Sequence, residues 1–317
     1  INKLDYRQAM NLPEYFEKSA LISMKETFAN ISTMTKPQWL ALVKDTEAPF
    51  VERYAAGQLL ALFGDPRINP YEPAMITVPA AEISIGIDEE SVDTVVEEYK
   101  TYGVERDWIA KEAPAYNVKM ASFQLAKYCV TNHEFALFLD ETKYPEIPTS
   151  WQFGIFPEYE SNHPVHTVSV EAAEAYIQWL NEKTGKQYRL PTEEEWEYAA
   201  KGSHHSEFPW GDKFEKDCAN TVESGIIKST PVGIFPRGQN EFGHFDMAGN
   251  VEEYVSNDYY PYPGAQRIND DLIISQNYRI ARGGSYTRFR DLARTTRRHG
   301  RYPADIYVMG FRLAHNS

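Results

Sequence analysis

The stretch Phe245-Asp-Met-Ala-Gly-Asn-Val-Glu-Glu-Tyr254 anchors the reading of this chain, because two motifs follow it in order: Arg282-Gly-Gly-Ser285 and Met309-Gly-Phe-Arg-Leu-Ala314. Before it comes Arg189-Leu-Pro-Thr-Glu-Glu-Glu-Trp-Glu-Tyr198. There Thr192 and Glu195 stand at the spacing of a capping box, in which each side chain accepts the other's free backbone N–H at a helix start. The same pattern recurs at Thr131 and Glu134, ahead of Phe135, Phe138 and Leu139. Ser169 can cap a further helix with Ala172, Ala173, Tyr176, Trp179 and Leu180 on one face, and Gly185 closes it. Ile76-Thr-Val-Pro79, Ile83-Ser-Ile-Gly-Ile87 and Phe123 to Val130 read as short strands. After Gly202 the chain is mostly turns and short strands, and no solenoid or propeller period appears.

Residues 1 to about 75 have a different character and read as helical. Phe16, Ala20, Met24 and Phe28 recur every four positions, and Val51, Ala55, Leu59 and Leu62 nearly so, giving each segment an apolar stripe. Gly64-Asp-Pro66 supplies a stop, since Gly accepts the left-handed conformation after a helix and Pro cannot continue it. This unit can be a cap packed on the main domain or a module that recognises a protein partner.

Composition narrows the classes. A 317-residue chain with 42% hydrophobic and 14% aromatic residues can bury a large core, with Tyr and Trp anchoring irregular backbone. The formal charge of −14 argues against general nucleic-acid affinity. Two cysteines, Cys129 and Cys218, exclude a disulfide scaffold. No apolar run approaches the roughly 20 residues that span a bilayer, so a soluble chain is expected. Its first residue is Ile, so any signal peptide would already be absent and the compartment stays open. Asn30-Ile31-Ser32 matches the short glycosylation acceptor pattern.

The ordered motifs, together with His163-Pro-Val165, Pro209-Trp-Gly211 and Ala219-Asn-Thr221, resemble the formylglycine-generating enzyme and sulfatase-modifying-factor family over roughly residues 76 to 314. The resemblance implies an α+β, C-type-lectin-like fold, loop-rich with short strands and few helices. The expected organisation is a helical extension over 1–75 and a sulfatase-modifying-factor-like domain over 76–317. The family's founding chemistry is copper-dependent oxidation of a substrate cysteine by two cysteines between the Arg-Gly-Gly-Ser and Gly-Phe-Arg segments. Here Tyr286 to Met309 contains none. The soft thiolates that Cu(I) prefers are missing, and formylglycine-generating activity is expected to be absent.

Other sites follow from the same resemblance. Relatives bind structural calcium in two loops, and the matching positions are Asn220 with the Thr221 carbonyl, and Asn250 with the Val251 carbonyl and Glu253. Oxygen donors of this kind suit hard Ca²⁺, although they can equally bond to turn backbone. Glu252 replaces the Trp that most relatives carry beside the reaction centre. Enclosed near arginines, its carboxylate could act as a general acid or base; in an opened pocket it would simply face solvent. Arg288 and Arg290 follow Ser285 in the loop where the family's cysteines would lie. Their forked donors suit a carboxylate or phosphate, or else the protein's own acidic groups. Arg282 and Arg312 match family positions and are expected to bond within the fold.

No His-Glu-x-x-His motif, phosphate loop or dinucleotide fingerprint appears. Iron-dependent relatives draw ligands from a separate His-bearing helical domain, whereas the first 75 residues here contain no His. Two functions remain. One is a diverged oxidative or tailoring enzyme acting on a small molecule or peptide with an anionic group. Its catalytic candidates are Glu252 and Ser285, its substrate-binding candidates Tyr286, Arg288 and Arg290, and its redox cofactor is unknown. The other is a non-catalytic ligand- or protein-binding member of the family.

Overall fold

A computed structural model describes residues 4–16, 18–21, 24–270, 272, 278–302 and 307–317. The chain opens with helices α1 (Tyr6–Ala9), α2 (Lys25–Ile31), α3 (Lys36–Lys44) and α4 (Phe50–Phe63). Strands β1 (Met75–Val78) and β2 (Ala81–Ile85), helices α5 (Val92–Glu98) and α6 (Arg106–Ala110), and strands β3 (Tyr116–Met120) and β4 (Phe123–Ala126) follow. Helices α7 (Asn132–Thr142) and α8 (Val170–Thr184), strand β5 (Tyr188–Arg189) and helix α9 (Glu193–Lys201) come next. The final strands are β6 (Glu252–Asp258), β7 (Arg279–Arg282), β8 (His299–Gly300), β9 (Met309–Phe311) and β10 (Ala314–Asn316).

Local chemistry starts the central helices where the sequence indicates. Thr131 and Glu134 form a reciprocal capping box on α7, and Thr192 and Glu195 form another on α9. Ser169 Oγ accepts the Ala172 N–H at the start of α8, and Gly185 ends that helix with φ 69°. Their apolar faces meet in one large core, where Phe135, Phe138, Tyr176 and Trp196 pack against Phe311 and Tyr254. At about 25 cal/mol per Å² of apolar surface, burying several such rings is the main force holding the loop-rich body together.

The strands form three sheets: β1-β4-β10-β5, the pair β2-β3, and β8-β7-β6-β9. The third sheet positions the candidate site. In it β6 runs parallel to β9, with Glu252 beside Met309, and antiparallel to β7, with Glu253 beside Arg282. β7 in turn places Ala281 beside His299 of β8.

Helix α4 docks on the body through a glycine. A Cβ on Gly57 would lie 2.9 Å from Pro231 Cγ, so only the bare backbone permits this approach. Beside it, Gln58 Nε2 contacts His163 Nε2 at 2.6 Å, and Asn162 donates to the Gly57 carbonyl at 3.0 Å. Trp39, Tyr54 and Leu59 share a cluster with Ile226, Ile234 and Phe235 of the later chain. The helices are therefore packed on the body, as a cap would be, and the expected break at 75/76 falls just inside β1, one residue past the connector that follows α4.

Two sequence readings need correction here. The stripe Phe16, Ala20, Met24, Phe28 is not one helix, since α2 begins only at Lys25 and Phe16 is 83% exposed. On α4, Val51 and Leu62 are exposed, whereas the whole run Arg53–Ala61 is buried, because α3 covers one side and the body the other. Helices α5 and α6, which build a small cluster around Val92, Tyr99 and Ile109, carry no long periodic pattern and were not anticipated.

Candidate functional site: two faces of strand β6

Successive strand residues point to opposite faces, so Glu252 and Glu253 enter different surroundings although they are neighbours. Glu253 faces inward. Arg312 donates to both of its oxygens, Nε to Oε2 at 2.5 Å and Nη2 to Oε1 at 2.6 Å, and the Trp196 indole donates to Oε2 at 2.7 Å. The Cys129 thiol lies 3.3 Å from Oε1. This is a fully buried, bidentate ion pair whose remaining lone pairs are also used, the arrangement that makes a buried charge tolerable.

Glu252 points the other way, toward His299 and Arg288. Its Oε2 lies 2.5 Å from His299 Nδ1 and its Oε1 lies 3.4 Å from Arg288 Nε. Burial pushes the Glu252 carboxyl up, but His299 and Arg288 together hold it below the usual range. Burial also lowers the His299 pKa, only partly offset by Glu252. The consistent state near neutrality is a carboxylate accepting Nδ1–H of a neutral imidazole. Tyr307 closes one side, stacked on His299 with centroids 5.3 Å apart and lying 4.2 Å from the Arg288 guanidinium carbon.

A narrow cavity of about 30 Å³ opens beside this group, lined by Tyr102, Trp108, Arg288, Asp291, His299 and Tyr307 among others. Ala9 of α1 also lines it. Arg288 is 1% exposed, and among the described residues its Nη1 and Nη2 have no hydrogen-bond partner. His299 Nε2 bonds to no described residue. Glu252 does not line the cavity; it stands behind His299. The imidazole and the Arg288 guanidinium stand between the Glu252 carboxylate and the cavity.

The remaining sequence candidates separate. Ser285 is fully buried and pairs its hydroxyl with Thr287 at 2.9 Å, outside the cavity lining. Tyr286 packs with Cys129, Val251 and Val308, its ring edge-on to His166. Arg290 is drawn away to Glu223, with Nε 3.0 Å from Oε1, and lies over the Phe214 ring at 4.2 Å. Arg282 donates to the carbonyls of Thr295 and Arg297 and pairs with Glu197, as expected of a residue that serves the fold. Only Arg288 and Glu252 of the proposed set converge, and they do so around His299. The lone His299 carries no motif, and its one local signal is its place at the end of the Arg297-Arg298 run.

The loops expected to hold calcium are tied by hydrogen bonds. Asn250, held at φ 67° after Gly249, accepts the Thr230 N–H at 2.9 Å and contacts Asn220 Nδ2 at 3.3 Å. Gly249 is required here, since a Cβ would lie 2.5 Å from the Asn220 carbonyl oxygen. Asn220 Oδ1 accepts from Ser224, and the Thr221 carbonyl accepts the Ser224 N–H. Glu253 is committed to Arg312, and Glu223 to Thr221 and Arg290. Calcium needs about 6 to 8 oxygens converging on one point. The side-chain oxygens here are already spent on donors, so the donor set does not fit that cage. Among the described residues no group of three or more His, Cys, Asp or Glu is disposed to hold a metal ion.

The two cysteines are free, buried and separately placed. Burial pushes the Cys129 thiol well up, and raises Cys218 to about 11. Neither presents a ready thiolate. Among the described residues no helix is long and apolar enough to cross a membrane.

The α+β body thus holds the Glu253–Arg312 clasp inside it and the Glu252–His299 pair on the other face of β6. The sequence pattern of the sulfatase-modifying factor enzyme 1-like domain matches residues 63–317, beginning within the last turn of α4, and the chain belongs to that family. Hercynine oxygenase from Mycolicibacterium thermoresistibile is 28% identical over 241 residues, covering 64% of this chain and 53% of the oxygenase. The chain thus spans about half the length of that relative. The mouse inactive C-alpha-formylglycine-generating enzyme 2 is 27% identical, with 81% and 91% covered. The solved structure of PvdO from Pseudomonas aeruginosa aligns with a TM-score of 0.59 and 27% identity over 78% of this chain and 95% of that one.

Proposed function

We propose that this divergent family member is a tailoring enzyme that holds a small molecule or peptide by an anionic group at Arg288 and moves a proton at His299 Nε2. The single observation that supports it is a buried guanidinium with both Nη atoms unpartnered among the described residues, beside an imidazole bonded to Glu252. An unsatisfied buried donor costs about 1 to 3 kcal/mol, more when charged, and a ligand anion would recover that loss. Glu252 fixes the proton on Nδ1 and leaves Nε2 as the base, while Tyr307 and the enclosed walls limit water. Absence of cysteine between Tyr286 and Met309 supports a reaction other than copper-dependent formylglycine formation. The relative named hercynine oxygenase supports an oxidative reaction on a small molecule.

Acetate binding, followed by titration calorimetry or ligand-observed magnetic resonance, tests the anion site. Arg288→Ala should weaken it about 10- to 100-fold, the equivalent of a charge-assisted hydrogen bond. Equal acetate affinity in wild type and Arg288→Ala would remove the proposed site and favour the reading as a non-catalytic binding protein, which the kinship to an inactive paralogue also supports.

A further inference from the structure

The charges lining the Arg288 cavity can be accounted for one by one. Lys111 is paired with Asp270 and also donates to the Tyr278 hydroxyl at 3.0 Å. Arg297 Nη1 donates to the Arg298 carbonyl at 2.7 Å and to the Trp108 carbonyl at 3.3 Å, while its Nε, without a hydrogen-bond partner among the described residues, lies 3.9 Å from Glu112 Oε1. His299 is bonded to Glu252. Nearby carboxylates outside the lining are equally committed, Glu112 to Arg294 and Thr296, Glu223 to Arg290 and Thr221.

Asp291 is different. It lines the same cavity and is only 6% exposed, yet its carboxylate has no hydrogen bond or ion pair to a described residue. Burial pushes the Asp291 carboxyl up to about 6, even with Arg297, Arg294 and Arg288 favouring its charged form. A buried carboxylate without donors is costly, and it becomes favourable when a ligand brings a cation or N–H donors. Besides the Arg297 Nε, the cavity therefore has two incomplete groups of opposite sign, the Nη atoms of Arg288 and the carboxylate of Asp291. They stand three residues apart, a chain length of no more than about 11 Å.

We infer that the ligand presents a zwitterionic head to this cavity, its anionic group on Arg288 and an ammonium or comparable cationic N–H donor on Asp291, which makes Asp291 a specificity-determining residue. This rests on the anion-site reading above and adds the second pole. Tyr102, Trp108 and Tyr307 supply aromatic walls that suit the cationic end as well.

Glycine, acetate and glycine methyl ester serve as probes on the full chain, with affinities measured by calorimetry or competition. Glycine should bind at least 10-fold more tightly than acetate, and the ester, which keeps the amine but loses the anion, should bind weakest. Asp291→Asn should erase the preference for glycine while acetate affinity is retained or raised, since a nearby negative charge has been removed. Should that variant not fold, the wild-type ranking of the three probes decides the matter alone. Acetate binding that depends on Arg288, with glycine no tighter or with its advantage surviving Asp291→Asn, overturns this inference and leaves the anion site standing. Acetate affinity that is indifferent to Arg288→Ala overturns both.

Discussion

Oε2 of Glu252 and Nδ1 of His299 lie 2.5 Å apart across the third sheet, so a carboxylate that is fully buried meets the cavity through this imidazole and through Arg288, whose Nε lies 3.4 Å from Oε1. Glu252→Gln keeps the shape but lets the amide bond to either imidazole tautomer. Ligand binding should change by less than about 3-fold, whereas turnover should fall by about 10²- to 10⁴-fold, the usual weight of acid–base catalysis. His299→Gln should abolish turnover equally, and the double variant should be no worse than either single one. Additive losses in the two single variants would show that Glu252 does not act through His299.

Glu253 should matter for stability with or without calcium. Glu253→Ala leaves the buried Arg312 without its carboxylate, a change that costs roughly 3 to 5 kcal/mol. Denaturant midpoints should fall by the same amount in added calcium and in chelator, and chelation should leave the wild type unchanged. A fall in the wild-type thermal midpoint on chelation alone would restore calcium to these loops.

The cap of N-terminal helices should be sensitive at Gly57. Gly57→Val drives a side chain into Pro231 and Ile234, and overpacking of this kind costs about 1 to 3 kcal/mol. Circular dichroism should show the helices retained while the unfolding midpoint falls. An unaltered midpoint would mean that α4 contributes nothing by docking.

Acid should weaken the fold through His166. Burial lowers its pKa to about 4, below the ordinary value of 6.5. Between those values the unfolded chain binds the proton and the folded one does not, so stability present above pH 6.5 is lost as pH falls toward 4. At pH 5 the loss is about 2 kcal/mol. Asp246, raised to about 6 by burial, has the opposite sign, so the comparison must be between variants. His166→Phe should reduce the stability difference between pH 7 and pH 5 by about 2 kcal/mol. An unchanged difference would mean that His166 is protonated in the folded protein.

The elements legible in the sequence are those whose cause is local. Thr131 with Glu134, Thr192 with Glu195, and Ser169 with Gly185 bound their helices because a capping side chain reaches only three residues along the chain. The order of Gly249-Asn-Val, Arg282-Gly-Gly-Ser and Gly310-Phe-Arg was enough to indicate the body of the fold, since those residues meet inside it. Glu252 and Arg288 were legible as candidates on the same ground. Tertiary structure alone decided what they do. Strand alternation turned Glu253 to Arg312 and Glu252 to the opposite, equally buried face. The β6-β7-β8 order then brought His299, 47 residues away in sequence, to the Glu252 carboxylate. Arg288 and Arg290 look alike in the chain, but Glu223 captures Arg290 while no described residue bonds to the Nη atoms of Arg288, because ion pairing is settled by which groups the finished packing places within about 4 Å.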